Sequence, residues 1–141
     1  MGKDQRQREY QVPVRVEFED VDGYRIAHHT KLVAYLERAR VRFFGELGLE
    51  VFAAQAVPVL ARLDMRFKRP ALPGDELELA LTVREVTDFQ LELGYRLRRD
   101  GETLATATTM LAFYHLDQGK LMPLPDDFQA ALLSWRDGGR P

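Results

Sequence analysis

The chain has 141 residues, with 20 basic and 22 acidic side chains and a formal net charge of −2. That is length for one domain with one substantial core, and it gives no long-range field suited to nucleic acid or an anionic membrane. There is no cysteine, which excludes a disulfide framework, a thiol nucleophile and a thiolate metal site and suits a reducing compartment.

Residues 1–9 form a polar tail unlike a secretion signal, and no stretch approaches the roughly 20 apolar residues of a membrane span, so a cytoplasmic protein is expected. Val12, Val14, Val16 and Phe18 then alternate with polar or proline positions, the pattern of a strand with one buried face. A loop carrying Asp20, Asp22, His28 and His29 follows, between strand and helix, where catalytic groups tend to sit.

Leu32, Tyr35, Leu36, Ala39, Phe43 and Leu47 recur at helical spacing. Thr30 is the expected N-cap and Gly48 the left-handed residue after the end, giving a helix of roughly 16 to 18 residues. Val33, Val41 and Phe44 broaden its apolar face, as a sheet wrapped around it would require.

Downstream the period changes to two. Val59, Ala61, Leu63, Met65 and Phe67 mark a second strand, and Leu77, Leu79, Leu81 and Val83 a third after the turn at 70–75. The parity shifts around 86–88, and Phe89, Leu91, Leu93, Tyr95 and Leu97 mark a fourth. Asp100-Gly101 signals a two-residue hairpin into an interior strand from Leu104 to His115. Pro123 and Pro125 close the sheet, and Asp126 or Asp127 caps a short helix carrying Phe128, Ala131, Leu132 and Trp135.

The expectation is an antiparallel α+β domain over residues 10–125, with about five strands around one long helix, followed by a short helix and tail over 126–141. One helix cannot cover both faces of such a sheet. A second copy is therefore expected on an edge strand or on the exposed face.

Asp22 carries two readings from its residues alone. It acts as a general base or nucleophile, or it caps the loop backbone in the turn before Gly23. His29 suits donor and acid-base tasks, and the first N–H groups of the helix favour a developing oxyanion. No metal or other cofactor is expected, because the adjacent His28 and His29 cannot easily point at one ion. Glu37-Arg38-Ala39-Arg40 reads as the solvated face of the helix.

The run Val14-Arg15-Val16-Glu17-Phe18-Glu19-Asp20-Val21-Asp22, then His29, then Tyr35-Leu36-Glu37-Arg38-Ala39-Arg40, resembles the 4-hydroxybenzoyl-CoA thioesterase branch of the hotdog-fold superfamily. Arg66-Phe67-Lys68-Arg69-Pro70-Ala71 and Gly74-Asp75-Glu76-Leu77 extend the resemblance, which spans residues 10–125. It implies a hotdog fold with the sheet continued across a homodimer, or a homotetramer built from such pairs. It also implies hydrolysis of acyl-CoA or acyl-carrier-protein thioesters.

By the same resemblance Asp22 is the catalytic carboxylate, and the backbone N–H at His29 helps to polarise the thioester carbonyl. Glu37 becomes a candidate second carboxylate. Tyr24, Thr30, Leu32, Val59, Leu60, Ala61 and Arg62 are candidates for substrate binding, and Arg66, Lys68 and Arg69 for the phosphates of coenzyme A. The chain departs from the family pattern at Gly23-Tyr24-Arg25, where relatives carry a small residue or proline followed by glycine. It departs again at Lys31-Leu32, where relatives often carry Asn or Ser and then Tyr. A non-catalytic hotdog module that binds acyl thioesters is the alternative reading.

Overall fold

The computed structural model describes residues 7–49 and 56–139. The strands are β1 (Glu9–Arg15), β2 (Ala56–Phe67), β3 (Glu76–Val86), β4 (Gln90–Arg99), β5 (Glu102–His115) and β6 (Lys120–Met122); the helices are α1 (His29–Glu46) and α2 (Asp126–Arg136). Every strand pairing is antiparallel, and the sheet order is β1-β3-β4-β5-β2 with β6 on the end of β5. The sixth strand was not foreseen, because three residues are too few to show a period.

Register places Leu79, Leu81 and Val83 of β3 with Leu97, Tyr95 and Leu93 of β4 on one sheet face. These residues share a buried core with Leu32, Tyr35, Leu36, Ala39 and Phe43 of α1. An isolated helix of this length is marginal in water, whereas each buried leucine or phenylalanine contributes about 1.5–3 kcal/mol. The apolar face, not intrinsic propensity, therefore holds α1 on the sheet, and the result is the expected hotdog architecture.

Several local expectations are corrected. β1 ends at Arg15, and Phe18 lies in a one-turn 3-10 helix (Phe18–Asp20) with 84% of its surface exposed. Asp20 forces that turn: its carboxylate accepts the Glu17 N–H at 3.1 Å while its own N–H donates to the Glu17 carbonyl at 3.0 Å. Phe89 is likewise exposed and precedes β4, because the Thr87 hydroxyl accepts the N–H groups of Phe89 and Gln90 and bends the chain.

In β2 the register with β5 slips between Leu60 and Arg62. A bulge at Ala61 therefore breaks the expected run from Val59 to Phe67: Leu60, Leu63 and Met65 fall on the α1 side, and Val59 does not. The hairpin signal at Asp100-Gly101 holds. Both residues have positive φ, 51° and 83°, as a type I′ turn demands.

α1 begins two residues earlier than expected. His28, with extended backbone, is the N-cap: its Nδ1 accepts the Thr30 N–H at 3.2 Å and lies 2.8 Å from the Thr30 hydroxyl. Thr30 is thus inside the first turn. His28→Ala is expected to cost about 1 kcal/mol and His28→Asn to restore most of it, as denaturant midpoints would show. At the other end Gly48 has φ 78°, its N–H donates to the Gly45 carbonyl and the Leu49 N–H to that of Phe44, a complete Schellman stop.

α2 is capped by Pro125, with neither Asp126 nor Asp127 in that position, and its buried face continues the core. Phe128 meets Phe113 and Phe44 at ring separations of 4.9 and 5.5 Å, and Trp135 meets Phe43 and Tyr10 at 5.3 and 6.1 Å. Arg8 lies 3.5 Å over the Trp135 ring and donates to the Trp135 carbonyl, tying the residue before β1 to this helix.

Candidate active site

Asp20 anchors the loop that carries the candidate acids. It is buried, and its Oδ2 accepts the Tyr35 hydroxyl at 2.7 Å from the interior of α1. Its backbone carbonyl accepts the His28 N–H at 2.9 Å, which closes the loop from the other side. Burial pushes the Asp20 carboxyl upward. The hydrogen bonds from Tyr35 and the Glu17 N–H, aided by Lys31 and Arg38, outweigh it and hold the group below its usual range. Burial and the neighbouring Asp20 carboxylate both push the Tyr35 phenol up.

Between these anchors the chain makes a tight hairpin. Val21 and Ala27 form a bridge, the Asp22 N–H donates to the Ile26 carbonyl at 2.9 Å, and the Ala27 N–H donates to Ala71 at 2.8 Å. Asp22 is half-buried. Its Oδ1 accepts the Tyr24 N–H at 2.8 Å, while Oδ2 has no hydrogen-bond partner among the described residues. Capping the turn therefore occupies one Asp22 oxygen and leaves the other unpartnered among the described residues.

At the tip Tyr24 is 87% exposed, and Arg25 adopts φ 65° where a side chain is strained. The hairpin tolerates this because its ends are pinned. Arg25→Gly is expected to hold or raise stability by up to about 1 kcal/mol, whereas the β-branched Arg25→Val should lower it by about 1–2 kcal/mol. Urea midpoints that moved equally in both variants would contradict the strain argument.

His29 opens α1 and is exposed, with its ring stacked on that of His28 at 4.4 Å and 6.5 Å from Phe67. Within the first turn the Thr30 N–H is satisfied by the His28 ring, and those of Lys31 and Leu32 by the His28 carbonyl. The His29 N–H is left without a partner among the described residues. His28 thus caps the helix in a way that leaves one donor free beside the hairpin, a role that sequence reasoning did not assign to it.

From Thr30 an apolar groove of about 500 Å³ runs between α1 and β2, with Val33, Phe44, Leu60, Leu63 and Leu111 among its walls. Of the residues expected to bind substrate, Thr30 and Leu60 line it. Leu32 is in the core, only 5% exposed, Val59 lies off the groove, and Arg62 pairs with Met110 on the sheet face away from α1. Ala61 sits at the bulge. Val57 and Pro58, which do line the groove, precede the first residue at which the period-two pattern becomes readable.

The expected phosphate cluster separates. Arg66 faces a polar depression on the outer sheet face, Arg69 is paired with Glu102 at 2.8 Å, and Lys68 is exposed. Among the described residues no three His, Asp or Glu side chains converge as a metal site would need. No described helix is long and apolar enough to cross a membrane.

Residues 16–132 match the family model described as the Thioesterase-like superfamily. The acyl-CoA thioesterase YbgC of Haemophilus influenzae is 27% identical over 126 residues, covering 86% of this chain and 93% of the relative. A 1,4-dihydroxy-2-naphthoyl-CoA hydrolase of Synechococcus elongatus is 24% identical with the same coverage of each. The crystal structure of Slr0204, a 1,4-dihydroxy-2-naphthoyl-CoA thioesterase from Synechocystis, superposes with a TM-score of 0.82 at 21% identity over 89% of this chain and 96% of that one. With the family match covering both the hairpin and the long helix, the chain belongs to the thioesterase-like superfamily.

Proposed function

We propose that the protein hydrolyses acyl-CoA thioesters, with Asp22 as the reacting carboxylate and the His29 N–H as a donor to the thioester carbonyl. The observation that carries this reading is that Asp22 Oδ2 and the His29 N–H are both unpartnered among the described residues, on a hairpin whose Asp20 carbonyl holds the His28 N–H, with the apolar groove starting at the next residue, Thr30. The CoA thioesterases and hydrolases among the relatives support coenzyme A as the carrier.

In this reading Asp22 takes a proton from water as the water oxygen bonds to the carbonyl carbon. The carbonyl electron pair moves to oxygen, where the His29 N–H and the positive end of α1 hold the oxyanion. Collapse re-forms the carbonyl and breaks the C–S bond, and the leaving thiolate recovers the proton from Asp22. Direct attack by Asp22 expels the CoA thiolate as the C–S bond breaks and gives an anhydride; water then opens it, returning Asp22 as a carboxylate and yielding the proton that the thiolate takes up. One oxyanion donor is worth about 2.7–4 kcal/mol, so the free N–H contributes a large part of the rate.

The exposed edge of β2 extends the reading to assembly. β2 has twelve residues and, among the described residues, pairs on one side only, with β5. A second copy paired there would continue the sheet and enclose the groove, giving a homodimer or a tetramer of two such pairs. The test is release of free thiol from a panel of short, long and aromatic acyl-CoAs. Turnover of at least one is expected; tight binding without release from any would sink the hydrolase reading and favour a binding module.

A further inference from the structure

α1 carries a cation on its groove side that its core packing does not need. Arg40 is half-buried and lines the apolar groove, and its guanidinium donates to the Tyr95 hydroxyl at 3.2 Å. The Tyr95 hydroxyl lies 2.7 Å from that of Thr109, which is fully buried and also lines the groove. Among the described residues Arg40 forms no ion pair, although Glu37 stands one turn earlier on the same groove. A half-buried guanidinium facing a neutral phenol is an incomplete arrangement, since desolvation of the charge is not offset by an anion.

Proton directions show what would complete it. Arginine only donates, so the Tyr95 oxygen accepts from Arg40, and either hydroxyl can donate in the Tyr95–Thr109 contact. Arg40 keeps further N–H groups that have no partner among the described residues. The guanidinium in the groove therefore offers donors and positive charge, which suits a ligand that only accepts: a carboxylate. Arg40 stands ten residues along α1 from Thr30, roughly 15 Å of axial rise, shortened because helical side chains lean toward the N-terminus.

We propose that Arg40 binds a carboxylate at the far end of the acyl group, making the preferred substrate the CoA monothioester of a dicarboxylic acid. This rests on the hydrolase reading for placing the thioester at the Thr30 end. Apolar walls accommodate the chain between Thr30 and Arg40, and Glu37, being exposed on the rim, disfavours an anion that stops short of Arg40.

The test compares matched acyl-CoAs of equal length ending in methyl, hydroxyl or carboxylate, in the wild type and in Arg40→Gln. The wild type should favour the carboxylate by roughly 10- to 100-fold in kcat/KM, the range of a hydrogen bond to a charged group, and Arg40→Gln should lose that preference. Because the preference is a ratio within each protein, a partly unfolded fraction cancels. Equal or faster turnover of the methyl or hydroxyl partner by the wild type overturns the proposal and leaves the hydrolase reading intact. Absence of turnover on every thioester overturns the hydrolase reading instead, and calorimetric affinities of the same three ligands then decide the carboxylate preference by themselves.

Discussion

Asp22→Asn is expected to fold like the wild type and to lose about 10²- to 10⁴-fold in kcat, the usual contribution of a positioned acid-base group. The substitution is selective because of how the two carboxylate oxygens are used. Oδ1 accepts the Tyr24 N–H, and the asparagine carbonyl can do the same, so the turn that shapes the hairpin survives. What disappears is the basic, negatively charged Oδ2. KM should change little, since the groove and the helix N–H are untouched. Retained activity in a folded Asp22→Asn protein would remove Asp22 from the chemistry and reduce it to a turn cap.

The same substitution separates two contributions that the native site combines. If the His29 N–H stabilises the oxyanion independently, a residual rate above the solvent reaction should remain in Asp22→Asn. If the residual rate is nil, carboxylate and donor act as one unit.

Much of this arrangement was legible in the sequence wherever a regular period met a buried face. The alternation of Leu77 to Val83 and of Leu91 to Leu97 is the alternation of core positions in β3 and β4, and the left-handed Gly48 marks the end of α1. The misreadings share a cause, which is a local backbone irregularity that overrides the period. Asp20 turns the chain at Phe18, Thr87 turns it at Phe89, and a one-residue bulge at Ala61 exchanges the faces of β2. His28 escaped notice as a cap because imidazole is an unusual N-cap group beside the hydroxyl of Thr30, the more familiar type. Periodicity reports which side of an element is buried. It does not report which oxygen of Asp22 is free or that Arg40 turns toward Tyr95, since those depend on contacts between segments far apart in the chain.

Asp20→Ala should be the most damaging change in the loop for stability, at about 3 kcal/mol or roughly 10 °C in Tm. It deletes the acceptor of the Tyr35 hydroxyl, whose residue is 1% exposed, and that of the Glu17 N–H, and leaves the phenol unpaired in the core. Asp20→Asn keeps one oxygen for Tyr35 and should cost less, about 1–2 kcal/mol. The pH dependence distinguishes loss of the charge from loss of packing. The Asp20 carboxyl titrates lower in the folded protein than its ordinary value of 3.8, so its stabilising contribution is complete above that value and is lost as pH falls through the lowered folded value. The stability gap between wild type and Asp20→Asn should therefore be constant from about pH 7 to about pH 5 and shrink on further acidification. A gap that stayed constant to strong acid would mean that Asp20 is neutral in the fold. Activity should fall with stability in Asp20→Ala and recover partly in Asp20→Asn, because the Asp20 carbonyl and carboxylate together fix His28 and the hairpin that presents Asp22.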